Sequence, residues 1–168
     1  MELATLYGTL IHIGLLLASS LCANYLASNV SIITDITESV FRNKLVASLS
    51  VCFGVSILGY WFWNIAGRFM YINNILNSRV RMRRNWYIIL GILILIETVI
   101  YFIMSSHYSI GNIFGILTTS LIFVMPTFSF WLASAIASPL LFKYSSPVAC
   151  RVRQNFNWLY GNNKVRGK

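Results

Sequence analysis

The chain alternates long apolar stretches with short polar ones, and four of the apolar stretches run for about twenty residues or more. That is the length a helix needs to cross the hydrocarbon core of a bilayer. The pattern predicts spans over residues 4–27, 45–67, 86–105 and 113–138. Small residues recur every fourth position inside them, a spacing that lets helices approach closely in lipid. On the first span Gly14, Ala18 and Cys22 make one such row, and Ser19, Ala23 and Ala27 a second. The second span has Ser50 with Gly54, beside Ser48, Cys52 and Ser56. The fourth has Ser129, Ala133 and Ala137. Residues 113–142 carry no charge, and as one straight helix they would measure ~45 Å against a core of ~30 Å. Pro126 lacks a backbone donor in the middle of that stretch, which predicts a kink there. The fold class expected is all-α: one polytopic unit of four transmembrane helices, with no soluble domain.

The connections carry their own patterns. Residues 29–44 balance Asp35 and Glu38 against Arg42 and Lys44, and place Ile33, Ile36 and Val40 on one helical face. Thr34 and Glu38 suit the cap of a short helix lying on the outer surface. In the tail, residues 143–168, Ser146 and Pro147 form a helix start and Gly161 a stop. Val148, Val152, Phe156 and Leu159 between them predict a second interfacial helix. Tyr60, Trp61, Trp63, Trp86 and Tyr87 stand at span ends, where aromatic rings favour the headgroup layer.

Charge orients this frame. The chain has 13 Lys and Arg residues against 4 Asp and Glu, a net charge of +9. Arg68, Arg79, Arg81, Arg83 and Arg84 crowd the second connection; Lys143, Arg151, Arg153, Lys164, Arg166 and Lys168 lie in the tail. Both groups flank membrane segments on one predicted side, so the positive-inside rule puts that side and both termini in the cytoplasm. Anionic headgroups are the expected partners of this basic face, rather than nucleic acid. Charged residues make up only 10% of the chain, where a soluble domain carries about a quarter.

Chemistry is sparse. Glu97 lies inside the third span, and a carboxylate there is costly unless it faces the bundle and finds a partner. His12, Asn24 and Asn64 are the other intramembrane polar candidates. His12 and Glu97 fall at depths that differ by only ~6 Å when counted from the same membrane face, so contact between them is open. Glu97 has three readings: a proton or ion relay, a polar anchor for a partner's transmembrane helix, and a protonated carboxyl hydrogen-bonded to a neighbouring helix. The last is favoured over a relay because no second carboxylate or chain of titratable groups accompanies it. Phosphate-binding loops, catalytic carboxylate pairs, zinc motifs and nucleophile elbows are missing from the sequence. No enzyme, cofactor or metal site is therefore expected. Cys22, Cys52 and Cys150 have no ligand spacing.

In length, in its four predicted crossings and in the basic segments 79–84 and 143–168, the chain resembles the small inner-membrane exclusion and immunity proteins of temperate phages and conjugative plasmids. The resemblance is one of plan and carries no site residue. It implies a bacterial inner-membrane protein that binds another membrane-inserted component, such as a phage ejection protein or a pore-forming toxin, and blocks entry of foreign DNA or toxin. The surfaces it would use are residues 34–44, residues 107–112 and the fourth span near Pro126. A subunit of a larger membrane complex and a small oligomeric channel or proton-coupled carrier using Glu97 remain alternatives, and the small-residue rows suit a homo-oligomer.

The topology has a direct check. Alkaline phosphatase fused after Arg84 is expected to be inactive, and fused after Asn112 active. The reverse pattern would remove the orientation.

Overall fold

In a computed structural model, residues 2–33, 38–72, 78–107 and 112–137 are described. All of them are helical: α1 (Glu2–Ile33), α2 (Glu38–Ile72), α3 (Ser78–His107), α4 (Asn112–Thr119), a π-helical segment (Ser120–Val124) and α5 (Met125–Ala137). Four stretches are long and apolar enough to cross a membrane: Thr5–Asn29, Ser39–Gly67, Val80–Ile103 and Ile116–Ala137. α4, the π segment and α5 together make the fourth.

The helices outrun the predicted spans. α1 continues to Ile33 and α2 begins at Glu38, so helix on both sides takes up most of the connection expected at 29–44. Residues 34–37, with Thr34 of the expected cap, lie outside the described residues, as does the tail with Arg151 and Arg153. At the other end α3 begins at Ser78, which makes the basic segment its first turns. Arg81, Arg83 and Arg84 are exposed there. The Arg83 guanidinium sits 5.8 Å from the centre of the Tyr87 ring, a cation–π distance.

α1 packs against α2 and α5, and α2 also packs against α3. Two apolar clusters result. One, away from the arginines, gathers Leu26, Phe41, Leu45, Leu49, Phe53 and Ile122. The other, toward the arginines, gathers Tyr60, Trp63, Met82, Trp86, Leu93 and Phe130. Tyr60, Trp63 and Trp86 are thus core residues and not a belt at the interface; Trp61 and Tyr87 remain exposed.

Which small-residue row packs is decided by the polar residue beside it. His12 must face the bundle, and Ser19, Ala23 and Ala27 lie on its side of α1 and are buried. Gly14, Ala18 and Cys22, expected to pack, fall on the opposite side and are exposed. Ser56 selects Cys52 in the same way on α2, which leaves Ser50 exposed and Gly54 with nothing near its Cα hydrogens. Ser129, Ala133 and Ala137 are buried. Cys22 and Cys52 are free thiols, one exposed and one buried.

α2 presses on α1 at Gly8, where a methyl group would overlap the Tyr60 ring. Gly8→Val is expected to destabilise the folded bundle by about 1–3 kcal/mol, the usual cost of overpacking. Gly14→Val, with nothing within 4 Å of its Cβ, should stay within about 0.5 kcal/mol of the parent. Thermal unfolding of both variants in one detergent compares them, and equal effects would count against this helix register.

Candidate functional site

Between the two apolar clusters lies a layer of polar side chains, and its hydrogen bonds tie the helices together. On α2 it is Ser56, after Phe53 and before Tyr60; on the fourth span it is Pro126, Thr127 and Ser129, after Ile122 and before Phe130. His12 and Glu97 meet it from α1 and α3. All four of His12, Ser56, Glu97 and Ser129 are at most 1% exposed.

The His12 ring makes the longest chain of bonds. Its Nδ1 lies 2.7 Å from the Gly8 carbonyl oxygen. A carbonyl only accepts, so Nδ1 carries a proton. Nε2 lies 2.9 Å from Ser56 Oγ. Ser56 Oγ is in turn 3.0 Å from the Pro126 carbonyl oxygen and 3.2 Å from Ser129 Oγ. Ser129 Oγ reaches the same carbonyl at 2.7 Å. Each hydroxyl owns one proton. In a neutral ring of this tautomer Nε2 accepts, so Ser56 gives its proton to His12 and Ser129 donates to Pro126. The group joins three helices through Ser56, and every proton in it has an acceptor.

Proline explains why the fourth span is at the centre. Pro126 has no N–H, and its ring crowds the carbonyl four residues earlier. The chain answers with the wide turn at Ser120–Val124, in which carbonyls bond donors five residues on. At Pro126 itself, where a kink was expected, the backbone is α-helical, within α5. Glu97 sits next to it: the Thr127 hydroxyl is 3.1 Å from Glu97 Oε1 and 3.0 Å from Oε2. Thr127 is the only hydrogen-bond partner of Glu97 among the described residues. Glu97 and His12, similar in depth, therefore hold separate ties.

Further polar contacts join α1 to α2 toward the arginine end. Asn64 Nδ2 donates to Thr5 Oγ1 at 3.1 Å, and Trp61 Nε1 donates to Thr9 Oγ1 at 2.9 Å. Trp86 Nε1 donates to Ser134 Oγ at 3.2 Å and its ring stacks on Phe130. Asn64 is buried, whereas Asn24 is exposed near the far end of its span. Trp63 Nε1 and Thr118 Oγ1 are buried without a partner among the described residues. Sequence reasoning named His12, Glu97, Asn64, Ser129 and Pro126, but not Thr127, Gly8 or Ser134. A threonine next to the proline, in a span facing a lone carboxyl, was the available signal for Thr127.

Among the described residues no three His, Cys, Asp or Glu side chains gather as a metal site would require. The layer can hold protons and fix helix positions. Bonds of this kind between membrane helices are worth ~0.6 kcal/mol each on average, so their main effect is to fix register. Loss of one partner is more serious than loss of the bond. Ser56→Ala strands His12 Nε2 in the core and is expected to cost about 1–3 kcal/mol. Ser50→Ala, on the exposed side, should cost under about 0.5 kcal/mol. Denaturant titration of the two variants in micelles measures the difference.

No protein-family model, no curated protein and no solved structure matches the chain.

Proposed function

We propose that the protein acts by contact inside a membrane, binding another membrane-embedded component without catalysing a reaction. Its finer role in this reading is exclusion: it occupies a foreign ejection conduit or pore at a bacterial inner membrane and stops entry of DNA or toxin.

The observation that carries the proposal is how the polarity is spent. His12, Ser56, Ser129, Asn64, Trp86 and Glu97 all bond within the bundle. The outward surface is the part left to work. It is apolar along every span, with Leu10, Leu17, Leu21, Leu58, Phe62, Leu95, Phe102 and Ile116 exposed. On α1 it includes Gly14, where an added methyl group would meet no neighbouring atom within 4 Å. A second membrane helix can approach closely at such a place. α3 is the least enclosed helix: 17% of its span is buried, against 50% of the fourth. Both termini in the cytoplasm and a basic inner face complete the proposed arrangement.

A cell expressing the chain is expected to resist one class of invading phage or pore-forming toxin. Gly14→Ile, which fills the exposed row without touching the core, should lower that resistance at least tenfold at unchanged protein level. Glu97→Gln should leave it within about threefold. Full loss of resistance in Glu97→Gln with Gly14→Ile unaffected would favour a proton-coupled carrier, and co-purification with host proteins in uninfected cells a subunit role.

A further inference from the structure

α3 leans on α2 and touches the fourth span only lightly, which leaves a groove of about 600 Å³ between α3 and the fourth span. On α3 its wall runs from Trp86 through Leu90 and Ile94 to Glu97, facing Phe128 and Trp131 among others. The surface it offers an occupant is almost wholly apolar, because Glu97 is fully buried. Glu97 is eleven residues on from Trp86, or ~17 Å of helix. That is about the depth of one leaflet, half of a ~30 Å hydrocarbon core.

The charge lies outside the groove, at its shallow end. Arg83 stands three residues before Trp86, seven before Leu90 and eleven before Ile94, so it shares their face of α3. It is exposed, and its guanidinium lies 5.8 Å from the centre of the Tyr87 ring. The Tyr87 ring meets the Trp86 ring edge-on with centroids 5.3 Å apart, and Trp86 lines the groove. The guanidinium therefore stands beside the end of the groove and not inside it.

We infer that the groove holds one acyl chain of an anionic phospholipid whose phosphate sits on Arg83. The inference goes beyond the diffuse attraction of a basic face for headgroups, and it does not depend on exclusion.

Depth and charge choose this occupant together. A groove one leaflet deep matches a chain that starts at the headgroup layer and ends near the bilayer centre. A partner's transmembrane helix crosses the whole core and needs a face about twice as long. At the shallow end, a planar guanidinium can pair with phosphate through two parallel N–H bonds. Nothing on the two walls competes for it. The one acidic residue of α3, Glu97, is fourteen positions from Arg83, or ~21 Å of helix, and the fourth span has none. The ammonium of a zwitterionic headgroup would find no carboxylate there, so a net negative lipid is favoured.

The molecule carries its own control. A second groove of about 560 Å³, lined by Leu21, Tyr25, Leu117 and Leu121 among others, is similarly apolar. Neither α1 nor the fourth span, which form it, carries a Lys or Arg. A chain seated there makes no use of headgroup charge.

The test measures lipid retention by the full chain in detergent, using native mass spectrometry. The probes are phosphatidylglycerol and phosphatidylcholine with identical acyl chains. The expected result is one phosphatidylglycerol held per chain, preferred at least fivefold over phosphatidylcholine. Arg83→Gln should remove the preference, whereas Arg81→Gln, on the other side of α3, should keep it. Ile94→Trp narrows the groove at a position that is 43% exposed, and should lower phosphatidylglycerol retention at least fivefold. Should Ile94→Trp fail to fold, Ile94→Phe makes the same test. Equal loss of preference in Arg81→Gln and Arg83→Gln overturns the inference, since a diffuse basic face behaves in that way. Undiminished retention in the folded Ile94 variant also overturns it, by placing the lipid elsewhere. So does a dimer of the parent that the Ile94 variant dissociates, which would put a second copy in the groove.

Discussion

An imidazole in hydrocarbon has no water to bond, and this chain places one at His12. Both ring nitrogens must then find protein partners, and the positions of three helices follow from how they do. Nδ1 turns back to Gly8 on its own helix, where the missing side chain lets Tyr60 press in. Nε2 reaches across to Ser56, and Ser56 reaches on to Pro126 and Ser129. The face of α1 that carries His12 becomes the packed face, and the face of α2 that carries Ser56 meets it. The apolar clusters above and below add most of the contact area. They do not by themselves choose a register, because leucine and phenylalanine are no more apolar than the surrounding lipid.

α3 is tied differently. It has no side chain in the His12 chain of bonds and meets the fourth span through Glu97–Thr127, Trp86–Ser134 and the stacked Trp86 and Phe130 rings. These contacts sit at two levels with the groove beside them. A helix held at separate points along one side can shift outward at lower cost than one with an interdigitated face, since packed interfaces resist small displacements. Glu97 itself is as fully enclosed as Ser56 and Ser129.

Much of the architecture is legible in the sequence. The four spans follow from hydropathy, and the need to bury Glu97 and His12 follows from the cost of polar groups in lipid. The choice between small-residue rows is harder, although the information is present. Ser19, Ala23 and Ala27 share a face with His12, and Ser48 and Cys52 share one with Ser56; a row facing away from the polar residue cannot be the packed one. Spacing alone does not distinguish them, since Gly14, Ala18 and Cys22 repeat with the same period. The aromatic residues mislead for a related reason. Tyr60, Trp63 and Trp86 stand near span ends, where a belt is usual, but each turns inward and is buried, and Trp86 finds Ser134 for its N–H. Thr127 and Gly8 depend on which residue lies across an interface, and that is a property of the assembled helices.

The wide turn before Pro126 explains how one helix can serve both clusters. Counted at 100° per residue, the buried positions Thr118, Leu121 and Ile122 centre on one direction, and Ser129, Phe130, Ala133 and Ala137 on another. The two directions differ by roughly one residue's rotation. A continuous α-helix would turn the second group away from α1 and α2. A π segment accommodates one extra residue within the helix and so absorbs that rotation, bringing both groups onto the same side. The proline that forbids a regular backbone is thus also where the correction is made. Its carbonyl, placed on the inward side by the same turn, is free to accept from Ser129. Pro126 would be a defect in a helix judged alone; within this bundle it aligns two halves of a span whose sequences are out of phase.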